Sequence, residues 1–219
     1  MDGHEDVVKA LLERNDVNPN KPDFLGSTPL LWASCRGNKE VVRILLERND
    51  VNPGKPDFLR LTPLLVSSMY GHEDVVKALL ERNDINPNKP DLLGSTPLLW
   101  ASRCGNKEVV RMLLERNDVN PDKTDLFHRT PLWWASVNGH EGVVRMLLER
   151  NDVNPSKPDL FLRTPLSLAS RNGHLGIVRM LLERNHVNPH KTDKWHRTLR
   201  WWTSRGLTDA QKSQPRGGG

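Results

Sequence analysis

The chain has 219 residues, a formal net charge of +5, 27% charged residues, 5% aromatic residues and a mean hydropathy of −0.61. That composition is poor material for one large globular core and suits an elongated, surface-rich protein. No stretch is apolar for long enough to cross a bilayer as a helix, and the opening MDGHEDVVKALLERND does not read as a secretion signal.

The charge is uneven. Lys194, Arg197, Arg200, Arg205, Lys212 and Arg216 face only Asp209, so the last segment carries the whole excess. Cys35 and Cys104 lie far apart and in no CxxC pair, which points to a reducing compartment. The expected localisation is intracellular, cytoplasmic or nuclear.

In chain order, the first element is a second helix without its partner, GHEDVVKALLERND from Gly3. A turn, KPDFLGS, leads to Thr28, whose side-chain oxygen can cap a helix, and to Pro29, whose missing N–H needs no partner at the first helical position. PLLWASCR then reads as a short helix ended by Gly37 in the left-handed conformation. KEVVRILLER reads as a second helix, with Val41, Val42, Leu45 and Leu46 on one face and a solvated charged face opposite. Asn49 is the expected left-handed cap. DVNPNKPD-type linkers carry the chain into the next turn.

This unit recurs. Thr28, Thr62, Thr96, Thr130, Thr164 and Thr198 follow one another at a constant 34-residue step. Residues 3–53 match 71–121 apart from Val17/Ile85, Phe24/Leu92, Cys35-Arg36/Arg103-Cys104 and Ile44/Met112, the mark of a duplicated two-repeat block. The expected division is a half repeat 1–24, full repeats 25–58, 59–92, 93–126, 127–160 and 161–194, a degenerate half repeat 195–204 and a disordered tail 205–219. Incomplete repeats at both ends suggest a piece of a longer protein, or ends covered by a partner.

TPLLWASCRGNKEVVRILLERNDVN and TPLWWASVNGHEGVVRMLLERNDVN resemble the ankyrin repeat, and the linker is similar to the version common in fungal multi-repeat proteins. The resemblance implies an all-α solenoid of stacked helix–turn–helix units with projecting β-hairpin turns. It also implies binding through the hairpin tips and the first helices. The histidine usual after Thr-Pro-Leu is replaced by Leu31, Leu65, Leu99, Trp133, Ser167 or Trp201, so less rigid turns are expected. Ser67 stands where the other full copies carry a packing alanine.

Two sets of residues are candidates for partner binding. At the tips, where polar residues are usual, stand Phe24-Leu25, Phe58-Leu59, Leu92-Leu93, Leu126-Phe127, Leu160-Phe161 and Lys194-Trp195. An exposed apolar row of this kind marks an interaction edge, unless adjacent tips pack on one another. Before each helix-ending glycine the sequence varies: Cys35-Arg36, Met69-Tyr70, Arg103-Cys104, Val137-Asn138 and Arg171-Asn172. The residues singled out are Phe24, Leu25, Arg36, Phe58, Leu59, Met69, Tyr70, Leu92, Arg103, Phe127, Asn138, Phe161 and Arg171. Trp32, Trp100 and Trp134 share a position with Val66 and Leu168 and are expected in the core; Trp133 and Trp201 occupy the variable position.

His186, His190 and His196 lack the companions that fix a metal geometry, and the serines and histidines form no recurring nucleophile–base arrangement. The expectation is a non-enzymatic protein–protein interaction module that needs no cofactor and binds an unidentified protein. Alternatives are an anionic-surface binder, acting on nucleic acid or membrane through the basic tail, and the ligand-sensing repeat fragment of a larger receptor-like protein. End-to-end self-association is a further partner mode.

Overall fold

A computed structural model describes residues 5–14, 16–184, 187, 188, 190 and 194. The degenerate half repeat, the tail with its basic residues, Trp195, Trp201, His186 and His196 lie outside the described residues. Among the described residues there are eleven α-helices and no strand. No helix there is long and apolar enough to cross a membrane.

The chain forms two compact units, Met1–Asn120 and Pro121–Gly219. The first contains α1 (Glu5–Leu12), α2 (Pro29–Arg36), α3 (Lys39–Leu46), α4 (Pro63–Tyr70), α5 (Glu73–Leu80), α6 (Pro97–Cys104) and α7 (Lys107–Leu114). The second contains α8 (Pro131–Asn138), α9 (Glu141–Glu149), α10 (Pro165–Arg171) and α11 (Leu175–Leu182). In the first unit α2, α4 and α6 stack side by side, as do α1, α3, α5 and α7. In the second, α8 packs on α10 and α9 on α11. Each unit is thus a stack of helix pairs, as in an α-solenoid.

The local rules of the sequence set each pair. Thr28 Oγ1 accepts the Leu31 N–H at 3.2 Å, Pro29 opens α2, and Gly37 ends it at φ 71°. A side chain at Gly37 would also meet the imidazole of His72, 2.6 Å from an added Cβ. In α3 the buried face is Val41, Val42 and Leu45; Leu46 is only half-buried. The helix closes at Glu47 with right-handed backbone, and Asn49 is not left-handed: among the described residues only Arg60, His128 and Leu162 are non-glycine residues at positive φ. A backbone bond from Arg48 N–H to Leu45 O ends the helix without a cap of that kind. Ala33 and Ala101 are buried where first helices meet, and Ser67 is tolerated there because its hydroxyl donates to Pro63 O at 2.9 Å.

Neighbouring repeats satisfy one another's helix ends. The His72 ring meets Cys35 O at 3.0 Å, which makes Nε2 the donor, and Asn106 Nδ2 donates to Ser68 O at 2.8 Å. On the second helices, Arg82 donates to Leu46 O at 2.9 Å and Arg116 to Leu80 O at 3.0 Å. In the linkers, Lys89 Nζ donates to Gly54 O at 2.8 Å and Lys157 Nζ to Asp122 O at 2.9 Å. These bonds explain why the "Gly-His/Asn", "Glu-Arg-Asn-Asp" and "Lys-Pro-Asp" segments repeat so faithfully. The carbonyls left over at a helix C-terminus carry partial negative charge, so a cationic donor suits them.

Each such arginine is held by the aspartate two residues on. Arg82 Nε and Nη2 grip Asp84 at 3.0 and 2.8 Å. Hydrogen bonding from Arg48, Arg82, Arg116 and Arg150 holds Asp50, Asp84, Asp118 and Asp152 below the ordinary carboxylate range. The folded chain therefore binds fewer protons than the unfolded chain in acid. This contribution is complete above the unfolded carboxylate pKa and is lost as pH falls through the lowered folded values. The urea midpoint is expected to hold steady from about pH 7 to about pH 5 and to drop below about pH 4. Asp84→Asn should shallow that drop; an unchanged slope would contradict the assignment.

Candidate interaction surface

The tip of each repeat is built around one aspartate. Asp23 Oδ1 accepts the N–H groups of Leu25 and Ser27, both at 2.9 Å, while Gly26 N–H bonds to Asp23 O at 3.1 Å. The same pattern is repeated by Asp57, Asp91, Asp125 and Asp159. A carboxylate thus does the work that a second strand would do in a longer hairpin. Pro22, Pro56, Pro90 and Pro158 precede four of these aspartates and have no N–H to extend a ladder; Thr124 stands before Asp125, whose turn is the same. With no histidine after Thr-Pro-Leu, the turn's donors are satisfied by the aspartate.

Tips are then joined by the main chain. Phe58 N–H donates to Leu25 O at 3.1 Å and Leu92 N–H to Leu59 O at 3.2 Å in the first unit. In the second, Leu160 N–H donates to Phe127 O and Lys194 N–H to Phe161 O. With the backbone so occupied, the apolar side chains turn outward. Phe24 is 85% exposed and Phe58 73%, and Leu25, Leu59, Leu92 and Leu93 are exposed too. Phe58 does lean on the preceding tip, at Gly26, but does not bury itself there. In the second unit Phe127 and Phe161 are more covered, because Arg129 and Arg163 lie 4.5 and 5.0 Å from their ring centres.

The fourth tip residue must adopt a left-handed backbone. Gly26 and Gly94 do so freely, at φ 83° and 82°, whereas Arg60, His128 and Leu162 are held there at 60–61°.

The tryptophans are a correction. Trp32 is exposed and Trp100 and Trp134 are half-buried, although Val66 and Leu168 at the same position are buried. An indole is too large for the space a valine fills, so it lies along the surface and points its N–H at the tip. Trp32 Nε1 donates to Asp23 Oδ2 and Trp100 Nε1 to Asp91 Oδ2, both at 2.8 Å; Trp134 Nε1 reaches Asp125 Oδ2 at 3.4 Å. The bond from Trp32 is the first cause of a lowered Asp23 pKa. At the tips of Asp125 and Asp159 an arginine joins or replaces the indole: Arg129 and Arg163 Nε donate to Asp125 and Asp159 Oδ2 at 2.7 Å. Trp133 is instead a core residue, packed edge-on to Trp134 at 4.9 Å.

The variable pairs lie on the same side as these indoles. Arg36 stacks 5.7 Å from the Trp32 ring centre and Arg103 4.8 Å from that of Trp100. Tyr70 is exposed and Met69 half-buried in the intervening repeat. Asn138 and Arg171 are exposed in the second unit. In the first unit, Phe24, Leu25, Phe58, Leu59 and Leu92 on the tips and Arg36 and Tyr70 on the first helices are exposed, and Met69 and Arg103 are half-buried. Sequence reasoning missed the aspartates and the indole N–H groups. Their signal was present: an Asp in every tip, and three times a Trp nine residues on. Cys35 and Cys104 are free thiols, and burial pushes the Cys104 thiol up.

A family model, "Ankyrin repeats (3 copies)", matches residues 1–57, 49–125, 85–159 and 117–193. The chain belongs to the ankyrin-repeat family, whose repeats are in general protein–protein interaction modules. No curated protein matches it.

Two outcomes check the tip architecture. Asp91 is 5% exposed and serves two backbone donors and an indole, so Asp91→Ala should cost about 2–3 kcal/mol, and Trp100→Phe about 1 kcal/mol, in urea unfolding. Leu162→Gly should raise stability by about 0.5–1 kcal/mol, since the left-handed position is costly for a side chain that is half in water. A destabilised glycine variant would show that the Leu162 side chain contributes more than its backbone costs.

Proposed function

We propose that this protein is a non-enzymatic interaction module inside the cell that presents its hairpin tips and first-helix face to a protein partner, with no cofactor. One observation carries the reading. The tips hold apolar pairs in water while their backbone hydrogen bonds are already satisfied. An apolar side chain there gains little from folding its own repeat. Full burial of a phenylalanine is worth roughly 1.5–3 kcal/mol, and a partner can supply that burial. The variable residues beside the indoles, Arg36, Tyr70 and Arg103, add charge and hydrogen-bonding groups of the kind that set specificity.

Phe24 and Phe58 separate binding from folding best, because Phe127 and Phe161 also pack under arginines. Phe24→Ser with Phe58→Ser is expected to leave the melting temperature nearly unchanged. It should weaken capture of a protein partner by at least tenfold, about 1.4 kcal/mol. A large loss of stability with unchanged capture would make the apolar tips structural and end the proposal.

A further inference from the structure

The second-helix side of the first unit carries a cavity of about 450 Å³. It lies between the C-terminal ends of α5 and α7, lined by Lys77, Leu80 and Glu81 from one repeat and by Met112, Glu115 and Arg116 from the next. Leu80 and Met112 are half-buried and give it an apolar floor. The second unit builds a smaller cavity, about 280 Å³, from the same register positions, with Leu148 opposite Met180, Glu183 and Arg184. The hollow in the first unit has an acidic rim. The Arg116 guanidinium donates to Leu80 O at 3.0 Å and to the two Asp118 oxygens at 2.9 and 2.8 Å, so its charge is already matched. Glu81 and Glu115, both exposed, then outnumber Lys77.

The Asp57 tip is the complement of this hollow. Phe58 is 73% exposed and Leu59 58%. Arg60, exposed beside them, stands where the Asp23 and Asp91 tips have Gly26 and Gly94. An apolar pair followed by a cation thus matches an apolar floor with an acidic rim. The tip cannot swing onto its own second helices, because it is tied into its row on both sides. Phe58 N–H donates to Leu25 O, and Leu59 O accepts from Leu92 N–H. The group that fills the hollow comes from another molecule.

We propose that the cavity between α5 and α7 receives the Phe58-Leu59 pair of a second copy of this chain, with Arg60 of that copy beside Glu81 and Glu115. The proposal rests on the reading of the tips as a binding edge and names what one of them binds. Tip and hollow are different parts of the same chain, so the contact is heterologous and each copy offers both halves. An aromatic anchor in a pocket is the arrangement that concentrates association energy in few residues. The unbranched Met112 side chain can adapt its shape to the entering ring.

Sedimentation velocity of the full chain, over a concentration series reaching about 1 mM, should show a weight-average coefficient that rises with concentration. Phe58→Ser with Leu59→Ser removes the apolar pair, and Met112→Lys spoils the floor of the hollow. Each change should weaken self-association at least about tenfold. Mixed together, these two variants should associate again, since one keeps the hollow and the other keeps the tip. If Met112→Lys fails to fold, Glu81→Lys with Glu115→Lys alters exposed positions only and should weaken association too; adding Arg60→Glu to that chain should restore it. A chain that stays monomeric through the series, association indifferent to these variants, a mixture that stays monomeric, or no restoration by Arg60→Glu would each overturn the contact. A monomeric chain that still captures another protein through Phe24 and Phe58 would remove this inference alone. Capture indifferent to Phe24 and Phe58 would remove the wider reading.

Discussion

A helix of two turns leaves most of its terminal carbonyls without a partner inside the helix, and every helix among the described residues is that short or nearly so. No repeat can satisfy those groups alone. The next repeat does, through His72 and Asn106 on the first helices, Arg82 and Arg116 on the second helices, and Lys89 and Lys157 in the linkers. The apolar stack of Val, Leu and Ala supplies the driving force, but these bonds fix how one pair of helices sits on the next. A repeat array is stable because each unit is completed by its neighbour.

The tips show the same economy in the other direction. Their donors are satisfied inside the turn by an aspartate and between turns by one main-chain bond. In the first unit the first two tip side chains are then mostly in water, with Phe58 only leaning on the tip before it. They can be apolar without exposing unpaired backbone, which is the physical condition for a binding edge that does not disturb its own fold. In the second unit the condition is only half met, because Arg129 and Arg163 draw Phe127 and Phe161 into the turn's own packing.

Periodic features were legible in the sequence because they rest on spacing. The repeat step, the Thr-Pro helix start, the left-handed Gly37 and the Val-Val-Leu face are all local rules of geometry and burial. The register placed Phe24 and Phe58 at the tips but left open whether they face water or pack on adjacent tips; both are exposed. What was not legible depended on size and on a partner in another element. Trp32 and Trp100 sit in a column with valine and leucine, so hydrophobicity alone placed them in the core; their bulk keeps them out, and an aspartate on the preceding turn holds them there. Asn49 has the composition of a left-handed cap, but a tighter closing turn removes the need for one. The buried position of Trp133, where the family usually carries a histidine, shows that the same column accepts Leu, Trp or Ser so long as the neighbouring threonine keeps its capping bond.

The near-identity of residues 3–53 and 71–121 has a consequence for how the chain finds its own order. The surfaces that dock one repeat on the next are almost interchangeable between these copies. Affinity between repeats therefore carries little information about which copy belongs where. The order is imposed by connectivity: a linker such as Asp50–Lys55 is too short to bypass a repeat, so each helix pair meets its chain neighbour before any distant look-alike. Sequence complementarity has been traded for tethering: of the positions that do differ, Phe24/Leu92 and Cys35-Arg36/Arg103-Cys104 lie on the tip and the first helix, while Val17/Ile85 and Ile44/Met112 only exchange one apolar side chain for another.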